Sequence, residues 1–155
     1  MILANVNSLP FDFVTRQKIQ STSMNWFIVE QLPLIDPARY AEALGHGTVG
    51  DLVRHEVLRL PYTAHDLAAF ARDLGYVGPP FVWDPEDRRH RMARLDALYF
   101  SLYGLDRADA GYVMDTFPIV READERAFGR DRTRELVLGY MSALAAGDIT
   151  TVLAL

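Results

Sequence analysis

Four histidines, one lysine, two arginine-rich stretches and a Pro-Pro-aromatic loop are the groups in this 155-residue chain that could do chemistry. The histidines are His46, His55, His65 and His90. His55-Glu56 lacks the second histidine one helical turn on that a zinc-binding helix requires, and no pair stands at ligand spacing on one predicted face. They read as surface or capping residues, and no metal site is expected. Lys18 lies in a predicted helix without a neighbouring acidic pair, so it does not complete a nuclease core. No serine or threonine sits in a recognisable nucleophile elbow. Gly78-Pro79-Pro80-Phe81 has the outline of a loop that grips an exocyclic amino group of a base. Such a loop needs a side-chain oxygen at its first position, and Gly78 has no side chain. Phe81 has the flat face that could stack on a flipped base, but a lone phenylalanine is expected to belong to the core. No glycine cluster follows a predicted strand to hold a nucleotide cofactor. No catalytic residue is assigned, and no cofactor is expected in this chain.

Three stretches concentrate basic residues. "EDRRHRMAR" carries Arg88, Arg89, Arg91 and Arg94, expected on exposed turns of a long helix. "READERAFGRDRTRE" alternates Arg121, Arg126, Arg130, Arg132 and Arg134 with as many acids, which predicts a salt-bridged, solvated surface. "TRQKIQSTSMNW" gathers Arg16, Lys18, Ser21, Thr22 and Asn25 around a helix end, polar groups suited to phosphates and base edges. The net charge of −5 supplies no global positive field to draw the chain to nucleic acid or an anionic membrane.

The elements that must position these groups are mostly helical. Half the residues are hydrophobic, enough for a real core in one soluble domain. No cysteine is present, which excludes disulfides, thiolate metal sites and cysteine nucleophiles. "MILANVNSLP" has no basic leader or cleavage site, and no apolar run approaches the roughly 20 residues of a membrane helix. A cytoplasmic protein without membrane contact is expected.

Apolar spacing predicts a helix from Ile2 to about Gln20, broken before Pro10, with Ser8 capping its second part. Trp26-Phe27-Ile28-Val29 reads as a buried strand or extended segment, one of one or two short extended pieces near residues 24–34. A short helix at 38–44 is expected to end at Gly45. Thr48 is placed to cap a helix to about Leu60, with Leu52, Val53, Val57 and Leu60 inward. Another starts at Thr63 or Ala64, points Leu67, Phe70, Ala71 and Leu74 inward, and stops at Gly75. Asp84-Pro85 opens a helix to Tyr103 with Met92, Leu95, Leu98, Tyr99 and Leu102 as its stripe. Further helices are predicted from Asp106 to about Asp115, at 118–127 and at 131–146. Between the helices that flank it, the 76–83 loop is stiffened by its prolines and pinned to the core by Phe81 and Trp83.

Several stretches together resemble a known family. "ILANVNSLPFDFVTRQKIQSTSMNWFIVEQLPLIDP" resembles the end of the target-recognition region in large adenine-specific DNA methyltransferases of restriction–modification and phage-defence systems, of the type IIG kind. The same helix followed by "QLP" is similar to the end of each recognition domain in type I specificity subunits. "LPYTAHDLAAFARDLGYVGPPFVWDPEDRRHRMARLDALYFSLYGL" and "YVMDTFPIVREADERAFGRDRTRELVLGYMSAL" resemble the helical tail that follows. The likeness spans nearly the whole chain in order, although the methyltransferase domain, any nuclease domain and most of a recognition domain are not among these residues.

The resemblance implies a mainly α, bundle-like module: residues 1–37 end a target-recognition-like segment and residues 38–155 form a helical C-terminal module, the two expected in one compact unit. It implies a non-catalytic role in DNA target recognition or assembly, with S-adenosylmethionine bound by the parent enzyme. Carried across by position, Arg16, Lys18, Ser21, Thr22 and Asn25 lie nearest the implied double-stranded DNA, and Arg88 and Arg89 are added as a less neutralised basic pair. The alternative is an interaction module whose apolar N-terminal helix binds a separate methyltransferase subunit or a second copy of the chain.

Overall fold

A computed structural model describes residues 1–19 and 23–153 of the chain, with the side chain of Leu153 left aside. In order, its helices are α1 (Ile2–Val6), α2 (Leu9–Lys18), α3 (Trp26–Val29), α4 (Val49–Arg59), α5 (Ala68–Asp73), α6 (Pro85–Leu102), α7 (Arg107–Asp115), α8 (Pro118–Phe128), α9 (Arg132–Ala145) and α10 (Ile149–Leu153). Short 3-10 turns at Pro37–Ala41 and His65–Leu67 precede α4 and α5. The fold is mainly helical, as the periodicity predicts.

Local signals explain most boundaries. Thr48 and Asp51 exchange side-chain and backbone hydrogen bonds across the first turn of α4, a reciprocal cap that satisfies two otherwise unpaired amides. Asp106 and Asp109 repeat the arrangement at α7. Asp84 accepts from the Asp87 amide at the start of α6, and Pro85 occupies the first helical position. Gly75, at φ +82°, closes the α5 region in a backbone conformation that side chains other than glycine resist.

Two local expectations are corrected. Trp26–Val29 is one turn of helix and not a strand. The Asn25 side chain accepts from the Ile28 amide at 3.1 Å, and the Trp26 indole donates to Glu30 at 2.6 Å, one helical turn on. With no strand alongside among the described residues, these local bonds override the β-preference of the residue types. Residues 33–36 carry neither helix nor strand, and the described strand pair lies further on. There Ala43–Leu44 and Gly47–Thr48 form an antiparallel hairpin in the register Ala43↔Thr48 and Leu44↔Gly47. Gly45 turns between them at φ +61°, so the expected helix at 38–44 shrinks to the 3-10 turn. Ser8 stands at the start of α2 as expected, but its hydroxyl donates back to the Asn5 carbonyl at 2.7 Å. The cap comes from elsewhere: the Leu9 amide donates to Asp96 of α6 at 2.8 Å.

The core is organised around α6, which is buried along most of its length. One side, with Leu95, Leu98, Tyr99 and Leu102, packs on Leu52, Val53 and Val57 of α4 and on Ala4 of α1. The other side, with Ala93, Ala97 and Phe100, packs on Ala110, Val113 and Met114 of α7 and on Val137, Tyr140 and Met141 of α9. Small residues on this second side let α9 approach closely. Met92, counted into the stripe by spacing, is exposed. Asn5 bridges early and late parts of the chain: it donates to the Tyr103 hydroxyl at 2.6 Å and accepts from the Ile35 amide at 2.9 Å. Tyr103 in turn donates to the Pro33 carbonyl at 2.8 Å.

A charged group sits inside this packing. Glu56 of α4 and Arg91 of α6 are 0% exposed and Arg94 is 1% exposed. Arg91 Nη1 donates to Glu56 Oε2 at 2.7 Å, Arg94 Nη1 donates to Glu56 Oε1, and Arg91 Nε donates to Asp87 Oδ2 at 2.8 Å. The expectation that Arg91 and Arg94 stand on exposed turns is therefore wrong. Each lies on the face that α6 turns to α4, where the Glu56 carboxylate they share offsets the cost of their burial. Burial by itself pushes the Glu56 carboxyl up, but nearby His55 (Nδ1–Oε1 3.6 Å) and the Arg94 and Arg91 charges outweigh it and hold the group below its ordinary range. Its stabilising contribution is thus present above the unfolded carboxylate value and is lost as the pH falls through the lower folded one.

Glu56→Gln removes the charge and leaves two guanidinium groups buried without it. Urea denaturation at neutral pH is expected to show a loss of about 3–5 kcal/mol; a loss of only a few tenths would mean that the cluster is solvated.

Candidate functional site

The Pro-Pro loop is resolved into a structural role. Phe81 stacks on Tyr76 with ring centroids 5.0 Å apart and meets Tyr62 edge-on at 6.2 Å. Its amide donates to the Tyr62 carbonyl at 2.9 Å. The Tyr62 hydroxyl donates to the Gly78 carbonyl and the Tyr76 hydroxyl donates to the Pro79 carbonyl, each at 3.2 Å. A side chain at Gly78 would run into the Tyr76 ring, so the position that would have to present an oxygen to a base cannot hold one in this loop. Phe81 is committed to a small core with Leu58, Tyr62 and Ala71. Trp83 differs from the expectation: it is 60% exposed and lies under the Arg88 guanidinium, 3.7 Å from the ring centroid, so it does not pin the loop to the core.

The residues expected near DNA are divided. Arg16 and Lys18 are exposed on the last turn of α2. Arg16 pairs with Asp12 at 3.3 Å and lies 3.8 Å over the Phe117 ring. Asn25 is exposed while its side chain caps α3. Ser21 and Thr22 lie outside the described residues. Arg88 and Arg89 have different neighbours: Arg88 donates to the Leu60 carbonyl, and Arg89 pairs with Asp124 at 3.3 Å and Glu86 at 3.4 Å. Of the arginines in "READERAFGRDRTRE", Arg121 and Arg130 pair within the stretch, with Glu125 and Glu135, whereas Arg132 and Arg134 pair outside it, with Glu86 and Asp115. The histidines do not converge, and among the described residues no group of acids and histidines could hold a metal. His90 instead meets the Tyr140 hydroxyl at 2.7 Å. No described helix is long and apolar enough to cross a membrane.

Two features that sequence reasoning missed stand out. The first is apolar surface on α3, where Trp26 and Phe27 are 72% and 71% exposed. The aromatic run read as a buried strand concealed this. The second is an apolar cavity of about 300 Å³ among α1, α4 and α6, walled by Leu3, Ala4, Val57, Leu60 and Leu95. Asp96 and Arg88 bring charge to its lining. Asp96 is only 8% exposed; burial pushes its carboxyl up to about 7, against the single hydrogen bond from Leu9 that works to lower it. An acid between Leu95 and Ala97, one turn on from Met92 in the predicted stripe, was the available signal.

The raised carboxyl acts on stability in the opposite sense to Glu56. Between about pH 4 and about pH 7 the folded chain holds a proton that the unfolded chain has released, so this group's contribution declines as the pH rises through that window. Asp96→Asn keeps an acceptor for the Leu9 amide and cannot ionise. Its expected effect is a gain of about 2–4 kcal/mol over the natural chain at alkaline pH and none near pH 4, read from denaturant midpoints across the range; an equal effect at both ends would contradict the assignment.

The chain matches no protein family, no curated protein and no solved structure.

Proposed function

We propose that the chain is a non-catalytic helical module of a DNA methyltransferase-like restriction–modification or defence protein, and that it serves the assembly of that protein more than its chemistry. The observation that carries this reading is the pair Trp26 and Phe27, adjacent on α3 and both mostly exposed. Single exposed apolar residues are ordinary, but two neighbouring aromatic side chains on a polar-capped turn are the kind of anchor that protein interfaces bury. The exposed Ile2, Leu3 and Val6 on α1 agree with the same role. In the resembled proteins this region adjoins the recognition and catalytic domains, so the partner is a methyltransferase-like subunit that binds S-adenosylmethionine itself, or a second copy of the chain.

A direct DNA contact is the second reading, favoured by the exposure of Arg16, Lys18 and Asn25 at one end of α2 and the start of α3. Against a strong contact stand the net charge of −5 and the internal partners of Arg88 and Arg89, since affinity for duplex DNA rests largely on phosphate neutralisation.

The test is analytical ultracentrifugation of the chain and of its Trp26→Ser/Phe27→Ser variant, alone and with any methyltransferase-like protein that an adjacent reading frame encodes. Association is expected for the natural chain and a loss of at least about tenfold in affinity for the variant, with duplex DNA bound weakly by both. A natural chain that stays monomeric, ignores that partner, and binds DNA in a salt-sensitive way abolished by Arg16→Ala and Lys18→Ala would overturn the assembly reading.

A further inference from the structure

We infer that the cavity among α1, α4 and α6 is a binding site for an aliphatic primary ammonium, with the Asp96 carboxylate as its counter-ion. The site does not depend on the assembly role above, which rests on Trp26 and Phe27 of α3; of its lining, Leu3 and Met92 stand half exposed at the rim. Its volume of about 300 Å³ lies at the lower end of those that enclose small ligands, roughly 300–1,000 Å³. The walls are aliphatic: Leu3 and Ala4 from α1, Val57 from α4, Leu60 after it, and Leu95 from α6. They match a hydrocarbon chain, with Asn7 and Ser8 as the neutral polar residues of the lining.

The charge at the lining selects what that chain must end in. Asp96 presents a carboxyl more than nine-tenths buried, with the Leu9 amide as its hydrogen-bond donor from α2. The lining residues from α1 and α4 bring no charge to it, and Arg88, on its own helix, is turned to the Trp83 ring and the Leu60 carbonyl. A buried carboxylate in apolar surroundings is costly unless a cation or several donors meet it. An ammonium at the end of an aliphatic chain satisfies both parts of the cavity together: its stem removes apolar wall from water, and its head compensates the carboxylate. A carboxylate or phosphate ligand would face the ionised Asp96, because Arg88, the cation of the lining, is engaged with the Trp83 ring and the Leu60 carbonyl, and a neutral alcohol would leave the acid uncompensated.

The same ammonium chemistry has two sources, a free alkylamine or diamine and the lysine side chain of a protein. Isothermal titration with n-hexylamine, 1-hexanol and a capped Leu-Lys-Leu peptide separates them. At about pH 8 the natural chain is expected to bind hexylamine roughly tenfold to a hundredfold more tightly than hexanol. Asp96→Asn, which retains an acceptor for Leu9, should abolish that preference. The natural chain at about pH 5.5 should lose most of it too, because Asp96 takes up a proton while the amine stays charged; this second arm needs no variant to fold. Binding of the free amine identifies a small-molecule site; binding of the peptide alone, with the same dependence on Asp96, identifies a lysine from a partner. Equal affinity for amine and alcohol, no binding of either ammonium compound, or a preference that survives both Asp96→Asn and the lower pH would overturn the proposal.

Discussion

Glu56 and the two arginines facing it fix α4 against α6, and the remaining helices are arranged on the two sides of that seam. A buried ion cluster of this kind adds little net stability over an apolar seam of equal volume, because desolvation offsets most of the attraction. What it does impose is registry. Arg91 and Arg94 are one turn apart on α6, and both must reach the two oxygens of one carboxylate. Sliding α4 along α6 by a turn would strand a guanidinium in the core. Asp87 extends the constraint to the first turn of α6 through Arg91.

The other features follow from that registry. With α4 held at this position, α1 and α2 lie over the far part of the α4–α6 groove, where Asp96 takes the Leu9 amide that the Ser8 hydroxyl leaves unmet. The apolar cavity remains between them, its Asp96 carboxyl raised by burial and not by a charged neighbour. The same helix α6 therefore holds one acid–base cluster that is internally balanced and one acid that is not. That contrast directs attention to Asp96 as the place where an external cation would find its counterpart. The apolar exposure of α3 is of another kind, since Trp26 and Phe27 stand on a turn that no other described helix covers.

Helix boundaries were legible because they are local. Thr48, Asp84 and Asp106 cap the helices they were expected to cap, and Gly75 closes the region it was expected to close. What escaped was set by distant partners. Arginines on a helix are usually solvated, and nothing within "EDRRHRMAR" shows that a glutamate from another helix neutralises two of them. The pattern of α4 carried the clue: Glu56 continues the inward stripe of Leu52, Val53 and Val57, so an acid was due to be buried there. Single-stripe reasoning also failed for α6, which packs on both sides and hides a second face of small residues at Ala93 and Ala97. The aromatic run at Trp26 was misread because strand preference is decided by neighbours, and here there are none to pair with.

The seam between α4 and α6 is tested most directly by a double-mutant cycle between Glu56→Met and Arg91→Met, followed by urea denaturation at neutral pH. The account predicts coupling: the double variant should be more stable than the sum of the single losses implies, by about 1 kcal/mol or more, because Arg91→Met removes one of the two guanidinium groups that Glu56→Met strands, while Arg94 keeps Glu56 paired when Arg91 alone is lost. Additive losses, within about 0.5 kcal/mol, would contradict it and show that the two side chains do not share a buried environment.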